Sequence, residues 1–246
     1  MRLLDEIGGY LLLTRQVFKR PENERIYLRR IIVEMDRLGL DSLGIVVIIS
    51  VFMGAVLCIQ MAFNIEHPLI PLYTIGLSVR ESIVLEFSPT IISLILAGKV
   101  GSRIASEIGT MRITEQIDAL EIMGINPAAF LIFPKIVATV LINPVLIIIS
   151  MFLGVLGGWL AGVTTGLVSS EVYIYGIQSF FIPFNIFYAL IKTAVFAFLI
   201  SSISGYYGFY TKGGALEVGT SSTKAVVYSS IMIIVFNLIL TQLLLT

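Results

Sequence analysis

Residues 86–127 read EFSPTIISLILAGKVGSRIASEIGTMRITEQIDALEIMGINP. A carboxylate, Glu86, sits inside an apolar run. Small residues and two cations, Lys99 and Arg103, follow it. The stretch ends in a segment with apolar residues at helical spacing and acids on its other faces. It reads as a membrane helix joined to a device that meets another protein.

Composition points the same way. Of 246 residues, 57% are hydrophobic and 13% charged, where a soluble domain carries about 25% charged residues. Mean hydropathy is +0.97. These values describe an integral membrane protein. Net charge is zero, so no bulk basic field points to nucleic acid. The single cysteine, Cys58, excludes an internal disulfide or a cysteine-based zinc site, and its apolar setting suits a small packing residue. His67 is the only histidine and cannot make a metal site alone. Arg2, Asp5 and Glu6 interrupt the first apolar residues, so the start does not read as a signal peptide. No phosphate-binding loop, nucleophile elbow or paired-histidine pattern occurs. If transport needs ATP, another chain supplies the site.

The expected fold is all-α, with five transmembrane helices, an N-terminal interfacial amphipathic helix and a short coupling helix between spans 2 and 3. Residues 1–41 form the N-terminal segment. Half of the basic residues lie there, interleaved with Ile7, Tyr10, Leu11, Val17 and Phe18 at helical spacing, which suits a helix lying at the headgroups. A solvated tail is the plainer alternative, and Pro21 and Asn23 break the helix. Residues 42–246 read as a single transmembrane domain. Its spans fall at about 42–63, 75–104, 136–163, 184–203 and 225–245, since about 20 apolar residues cross the hydrocarbon core. The short helix covers about 110–123. Residues 64–71 form a loop with Glu66 and His67. Part of 164–183 reads as a short helix on the membrane. In the third span Gly154, Gly158 and Gly162 recur every four residues, which serves close helix packing either within the chain or at a dimer seam. Basic residues concentrate in the N-terminal stretch, the 99–135 connection and the 206–224 loop, with Arg80 the exception. The positive-inside rule then puts the N-terminus in the cytoplasm and the C-terminus outside.

Three groups of residues are functional candidates. In the segment after Gly109, Ile113, Ile117, Leu120 and Gly124 follow an i, i+4, i+7, i+11 pattern. Thr114 is placed to cap the helix. Such a helix either docks into a groove on a motor subunit or packs on its own protein. Glu86 is the second group. A mid-bilayer charge costs at least about 2.5–3.5 kcal/mol, so it needs a partner or a wet cavity. Lys192, at similar depth, is the natural partner. Pro89 would loosen the helix nearby. The third group is the first-span stripe of Phe52, Gly54, Leu57, Gln60 and Met61, which suits an acyl chain and equally suits ordinary helix packing.

The opening stretch also carries a family likeness. Glu86-Phe87-Ser88-Pro89, Ala97-Gly98-Lys99-Val100-Gly101-Ser102 and the run SEIGTMRITEQIDALEIM over 106–123 resemble a pattern of E-L-G-P, A-G-R-x-G-[SA] and A-E-[IL]-G-x-M-[RK]-x-[TS]-E-Q-[IL]-[DS]-[AS]-[LM]-E-x-M. That pattern is the signature of the MlaE (YrbE-type) permeases, the membrane subunits of bacterial lipid ABC transporters associated with MCE proteins. Residues 52–60 resemble the family's F-x-G-x-V-L-x-x-Q, and 190–197 its L-I-K-S-x-x-F-[AG]. The likeness covers the chain from about Leu40 onward. Leu85 stands where the family usually has Arg, so an expected contact to lipid phosphate is missing. Phe87-Ser88 replaces Leu-Gly. Lys99 replaces Arg and loses the bidentate fork.

The resemblance implies a homodimer enclosing a lipid cavity in the bacterial inner membrane. It implies ABC ATPase subunits on the coupling helices and an MCE-domain protein on the periplasmic side; some systems add a STAS-type subunit. ATP and magnesium would sit on the ATPase, and this chain would bind no cofactor or metal and perform no catalysis. Leu57, Gln60, Met61 and Ile65 would line the acyl-chain wall, with Glu86 and Lys192 in the polar part of the cavity. Glu107, Arg112, Glu115, Asp118 and Glu121 would meet the ATPase. The expected function is ATP-driven movement of phospholipid between the inner membrane and a periplasmic MCE carrier. The rivals are an ion-coupled transporter using Glu86, whose inverted repeats are not visible, and a non-transporting scaffold.

Overall fold

The structure, a computed structural model, describes residues 2–19, 24–65 and 70–245. The expected break at Pro21 and Asn23 and the Glu66–His67 part of the first loop lie outside the described residues. Among the described residues eight helices follow one another: α1 (Arg2–Val17), α2 (Arg25–Asn64), α3 (Tyr73–Ile113), α4 (Gln116–Ile122), α5 (Pro127–Thr164), α6 (Ser170–Gln178), α7 (Phe184–Phe209) and α8 (Ala215–Leu245). Five of these, α2, α3, α5, α7 and α8, are long and apolar enough to cross a membrane. No strand occurs among the described residues. The chain is an all-α membrane protein, because a helix satisfies its own backbone where no water can.

Local chemistry sets the helix ends. Asn126 Oδ1 accepts from Ala129 N at 3.3 Å, and Pro127 takes the first position of α5, where its missing N–H costs nothing. Ser169 Oγ accepts from Val172 N and caps α6. Many hydroxyls inside the helices bond back one turn: Ser42 to Leu38 O, Thr193 to Ala189 O and Ser201 to Ala197 O, each at 2.8 Å. The polar groups are thereby satisfied without leaving the helix.

The chain forms two compact units. The first comprises Met1–Ser42, Ser93–Asn143 and Ala194–Thr246. In it α8 packs along the Ser102–Ile113 part of α3, and Ser222 Oγ donates to Ser102 O at 3.2 Å. A buried lysine, Lys135, donates to Glu34 Oε1 and Glu107 Oε2, each at 2.8 Å. This ties the starts of α2 and α5 to the end of α3. Arg30 donates to Phe130 O at 2.8 Å and lies 3.7 Å from the Phe130 ring centroid. Arg103 donates to Asp41 Oδ2 at 2.7 Å and to Arg37 O at 2.8 Å.

The second unit comprises Leu43–Ile92 and Pro144–Thr193. Here glycine brings α2 and α5 into backbone contact. A Cβ on Gly54 would overlap the Gly154 carbonyl, and one on Gly157 would overlap the Val51 carbonyl. The repeating glycines of the third span therefore pack within the chain. Gly154 faces Ile83, Gly158 faces Gly54 and Tyr173, and Gly162 faces Cys58. Gly157, which lies outside the four-residue repeat, makes one of the closest approaches.

Gly54→Ala therefore forces α2 off α5. Its cost should reach or exceed the 1–3 kcal/mol typical of overpacking, lowering the thermal midpoint in detergent by roughly 5 °C or more. Gly44→Ala, where an added methyl meets nothing within 4 Å, should leave it unchanged. Equal midpoints for the two variants would show that the helices are not in backbone contact at Gly54.

Candidate functional site

The carboxylate in the apolar run lies in an irregular part of α3. Residues Ile83–Ile91 form wide, π-type turns, with Pro89 inside them. Proline has no N–H, so in a regular α-helix the Leu85 carbonyl would lack its donor at i+4. The wide turns avoid that loss by drawing the donor from i+5, and Lys192 of α7 adds to it: its Nζ lies 3.3 Å from Leu85 O, 3.0 Å from Glu86 Oε1 and 2.9 Å from Tyr188 Oη. The same ammonium lies 4.7 Å from the Tyr188 ring centroid. Thr90 Oγ1 donates to Glu86 Oε2 at 3.1 Å.

The structure thus brings Glu86 and Lys192 together, with different roles. The Lys192 side chain is fully buried, while that of Glu86 remains 42% exposed. The lysine holds and aims the carboxylate; the carboxylate is the group on view. Elsewhere in the same unit, Ser50 Oγ donates to Ser150 Oγ at 2.8 Å, and Ser88 and Ser150 share a bond of 3.0 Å. These serines line a cavity of about 10 Å³, about the size of one water. Ser88, which replaces the glycine of the family pattern, is what extends this chain of hydroxyls to α3.

The first-span candidates differ in burial. Leu57 is buried, Met61 and Ile65 are partly covered, and Gln60 is exposed. An acyl chain on this face would meet Gln60, Met61 and Ile65 before Leu57.

Arg80 departs from the charge bias, and the structure supplies the reason. It is buried in the second unit, donates to Ser179 O at 2.8 Å and Phe180 O at 3.2 Å, and also bonds Ile177 O and Glu81. It closes the C-terminal end of α6 and fastens it to α3. Asn185 Nδ2 donates to Glu81 Oε2 at 3.0 Å. Tyr173 of α6 donates to Val155 O at 3.1 Å. Burial pushes its phenol above the ordinary range, so it acts as a neutral donor.

At the other candidate site the expected helix over about 110–123 is corrected. Residues 110–113 continue α3, because no residue there stops a helix. The break falls at Thr114 and Glu115, and α4 starts at Gln116. Thr114 does not cap it: its hydroxyl donates back to Thr110 O at 2.8 Å and accepts from Gln116 Nε2 at 3.0 Å. Glu115 takes the cap position with a left-handed φ of 59°. Gly124, at φ 79°, ends α4.

Of the five polar candidates here, Arg112 and Asp118 pair with each other at 2.7 Å. Glu107 accepts from Lys135, and Glu115 and Glu121 are exposed. Ile117, a member of the expected stripe, turns inward and is fully buried. The exposed apolar surface is instead Ile122 at 88% and Met123 at 64%. Periodicity missed these two because they follow the break rather than the stripe. No cluster of metal-ligating side chains occurs among the described residues.

The family model described as "Permease MlaE" matches residues 31–243. A Rickettsia bellii protein described as "Probable ABC transporter permease protein" is 36% identical, over 99% of this chain and 93% of its own length. A Synechocystis protein with the same description is 35% identical, over 94% of this chain and 88% of its own. The chloroplastic protein TRIGALACTOSYLDIACYLGLYCEROL 1 of Arabidopsis thaliana is 33% identical, over 94% of this chain and 66% of its own.

The difference in burial makes a prediction about Glu86 and Lys192. Removing one partner of a buried pair costs about 3–5 kcal/mol, and the cost falls on whichever charge stays buried. Glu86→Leu, which strands the Lys192 ammonium, should therefore lower the thermal midpoint more than Lys192→Met, which leaves Glu86 at the surface. The double variant should recover part of the loss. A larger loss for Lys192→Met would reverse the assignment of roles.

Proposed function

Because this chain belongs to the MlaE permease family, we propose that it carries phospholipid between the inner membrane and a periplasmic MCE-type protein. The family makes it a multi-pass permease subunit of an ABC transporter, working with ATPase partners. Lipid as cargo is supported by the name of the Arabidopsis relative, which contains a diacylglycerol lipid. The observation that carries this reading is the Glu86 carboxylate, half-exposed in an apolar helix and held there by a buried lysine. Such a group offers a polar foothold to a headgroup at a depth where the walls suit acyl chains.

In this proposal two copies of the chain enclose the lipid cavity, with Gln60, Met61 and Ile65 on its apolar side. Leu57 backs that wall from inside the protomer. Helix α1 lies at the cytoplasmic interface, with the N-terminus inside and the C-terminus outside. It buries Leu13 and Val17 against the protein and leaves Leu11 and Leu12 uncovered, which suits a helix half-sunk in headgroups. ATP and magnesium act on the ATPase, and some assemblies add a STAS-type subunit. ATP-driven movement shifts lipid only if the two states of the cavity bind it differently.

The segment around α4 is the proposed ATPase contact. Its exposed Ile122 and Met123 are apolar anchors, and Glu115 and Glu121 supply charge around them. Anchors of this kind carry most of the energy in a small interface.

With the neighbouring ATPase and MCE genes coexpressed, Ile122→Asp/Met123→Asp should abolish copurification of the ATPase while the permease keeps its thermal midpoint. Undiminished copurification would put the contact elsewhere. In the intact complex, Glu86→Gln should leave the ATPase bound and cut lipid transfer to the MCE partner at least about tenfold, equivalent to about 1.4 kcal/mol. Unchanged transfer with a folded complex would remove Glu86 from the lipid path.

A further inference from the structure

A second cavity lies in the first unit, between α1, α7 and α8. It measures about 440 Å³, within the range of about 300–1,000 Å³ common for small-ligand sites. Phe198, Leu199, Ile203, Met232 and Phe236 make its floor and walls apolar. Its rim is different. Tyr206, Tyr207 and Tyr228 stand there with Glu6, the only charged residue on the lining among the described side chains. The Tyr207 and Tyr228 rings are stacked with centroids 5.2 Å apart, and Tyr206 meets Tyr207 edge-on at 5.3 Å. Tyr10 meets Tyr206 edge-on at 5.9 Å and shares a 2.7 Å hydrogen bond with Ser202. Helix α1 comes close enough for this because residue 9 is glycine; its Cβ would touch the Tyr206 hydroxyl at 3.0 Å.

We infer that this cavity is a binding site for a phospholipid whose headgroup carries an ammonium, such as phosphatidylethanolamine. Tyrosine faces and a carboxylate together attract a cation and offer nothing to a bare anion. The apolar volume beneath them accepts a tail, which a water-soluble amine would not fill. Helices α7 and α8 are membrane spans, so the ligand enters sideways from the bilayer. An anionic headgroup such as phosphatidylglycerol would set its charge against Glu6 with no ammonium to compensate. Neither Glu86 nor Lys192 belongs to this site, so the inference does not rest on the transport reading.

Native mass spectrometry of the purified permease complex tests it, with phosphatidylethanolamine or phosphatidylglycerol of identical acyl chains added in detergent. The wild type should retain phosphatidylethanolamine at least about threefold over phosphatidylglycerol, the size expected of a cation–π contact with a carboxylate beside it. Glu6→Gln should erase that preference. Met232→Trp, which fills the cavity floor, should reduce retention of both lipids, and Glu86→Gln should leave the preference intact. Equal retention of the two lipids by the wild type would overturn the site. So would a preference that survives Glu6→Gln, or one that Glu86→Gln removes, since the lipid would then sit at Glu86.

Discussion

An ammonium with no exposed surface, set among apolar helices, has three protons to place and no water to take them. Lys192 places them on a carboxylate, a tyrosine hydroxyl and a backbone carbonyl. The same demand recurs wherever this chain buries a charge. Lys135 lies between Glu34 and Glu107, and Arg80 spreads over Glu81 and three carbonyls at the end of α6. Each buried cation joins elements far apart in sequence. A membrane protein gains little from driving apolar surfaces together, since lipid is as apolar as leucine. Its specific joints are therefore polar groups that have nowhere else to go, and backbones brought close by glycine.

How much of this could be read in advance follows from the same physics. Five long apolar runs announce five long helices, because in hydrocarbon only a helix or a closed barrel satisfies the backbone. Glu86 was conspicuous for the same reason, and its partner could be named from depth alone. The roles within the pair could not. Which charge stays buried depends on Tyr188 lying one turn before Lys192 and on Pro89 sitting in the wide turns whose Leu85 carbonyl Lys192 meets. Both residues are in the sequence, but their meaning depends on how α3 and α7 face each other. The glycine repeat of α5 left seam and core equally open. Only the approach of α2 decides between them: Gly154 and Gly158 meet Gly54, Gly162 meets Cys58, and Gly157, which the repeat does not mark, meets Val51.

The amphipathic segment shows a different limit. Its stripe was legible, yet a stripe says only that a face is covered, not by what. Ile117 is covered by its own protein, and the surface left over is set by where the chain turns. That turn occurs at Glu115, a residue without the freedom of glycine at positive φ. Nothing in the spacing of apolar residues marks it. Arg80 is the mirror case: as a charge count it weakened the topology argument, whereas its burial removes it from any loop.

The energetics of that turn determine how α4 is held. A non-glycine residue in the left-handed region costs of order 1–3 kcal/mol. The Arg112–Asp118 pair that bridges the turn has both side chains well exposed, at 35% and 48%, and such pairs contribute about 0–1 kcal/mol. The ion pair alone does not offset the strain. Burying an isoleucine side chain contributes about 1.5–3 kcal/mol, and Ile117 is the one residue of α4 that is fully covered. Helix α4 is therefore seated by a single apolar side chain, and the ion pair serves to set its direction. With Ile117 turned inward, the chain emerges from the helix with Ile122 and Met123 facing outward. The burial that stabilises the turn and the exposure of the surface proposed for docking are two consequences of one packing decision.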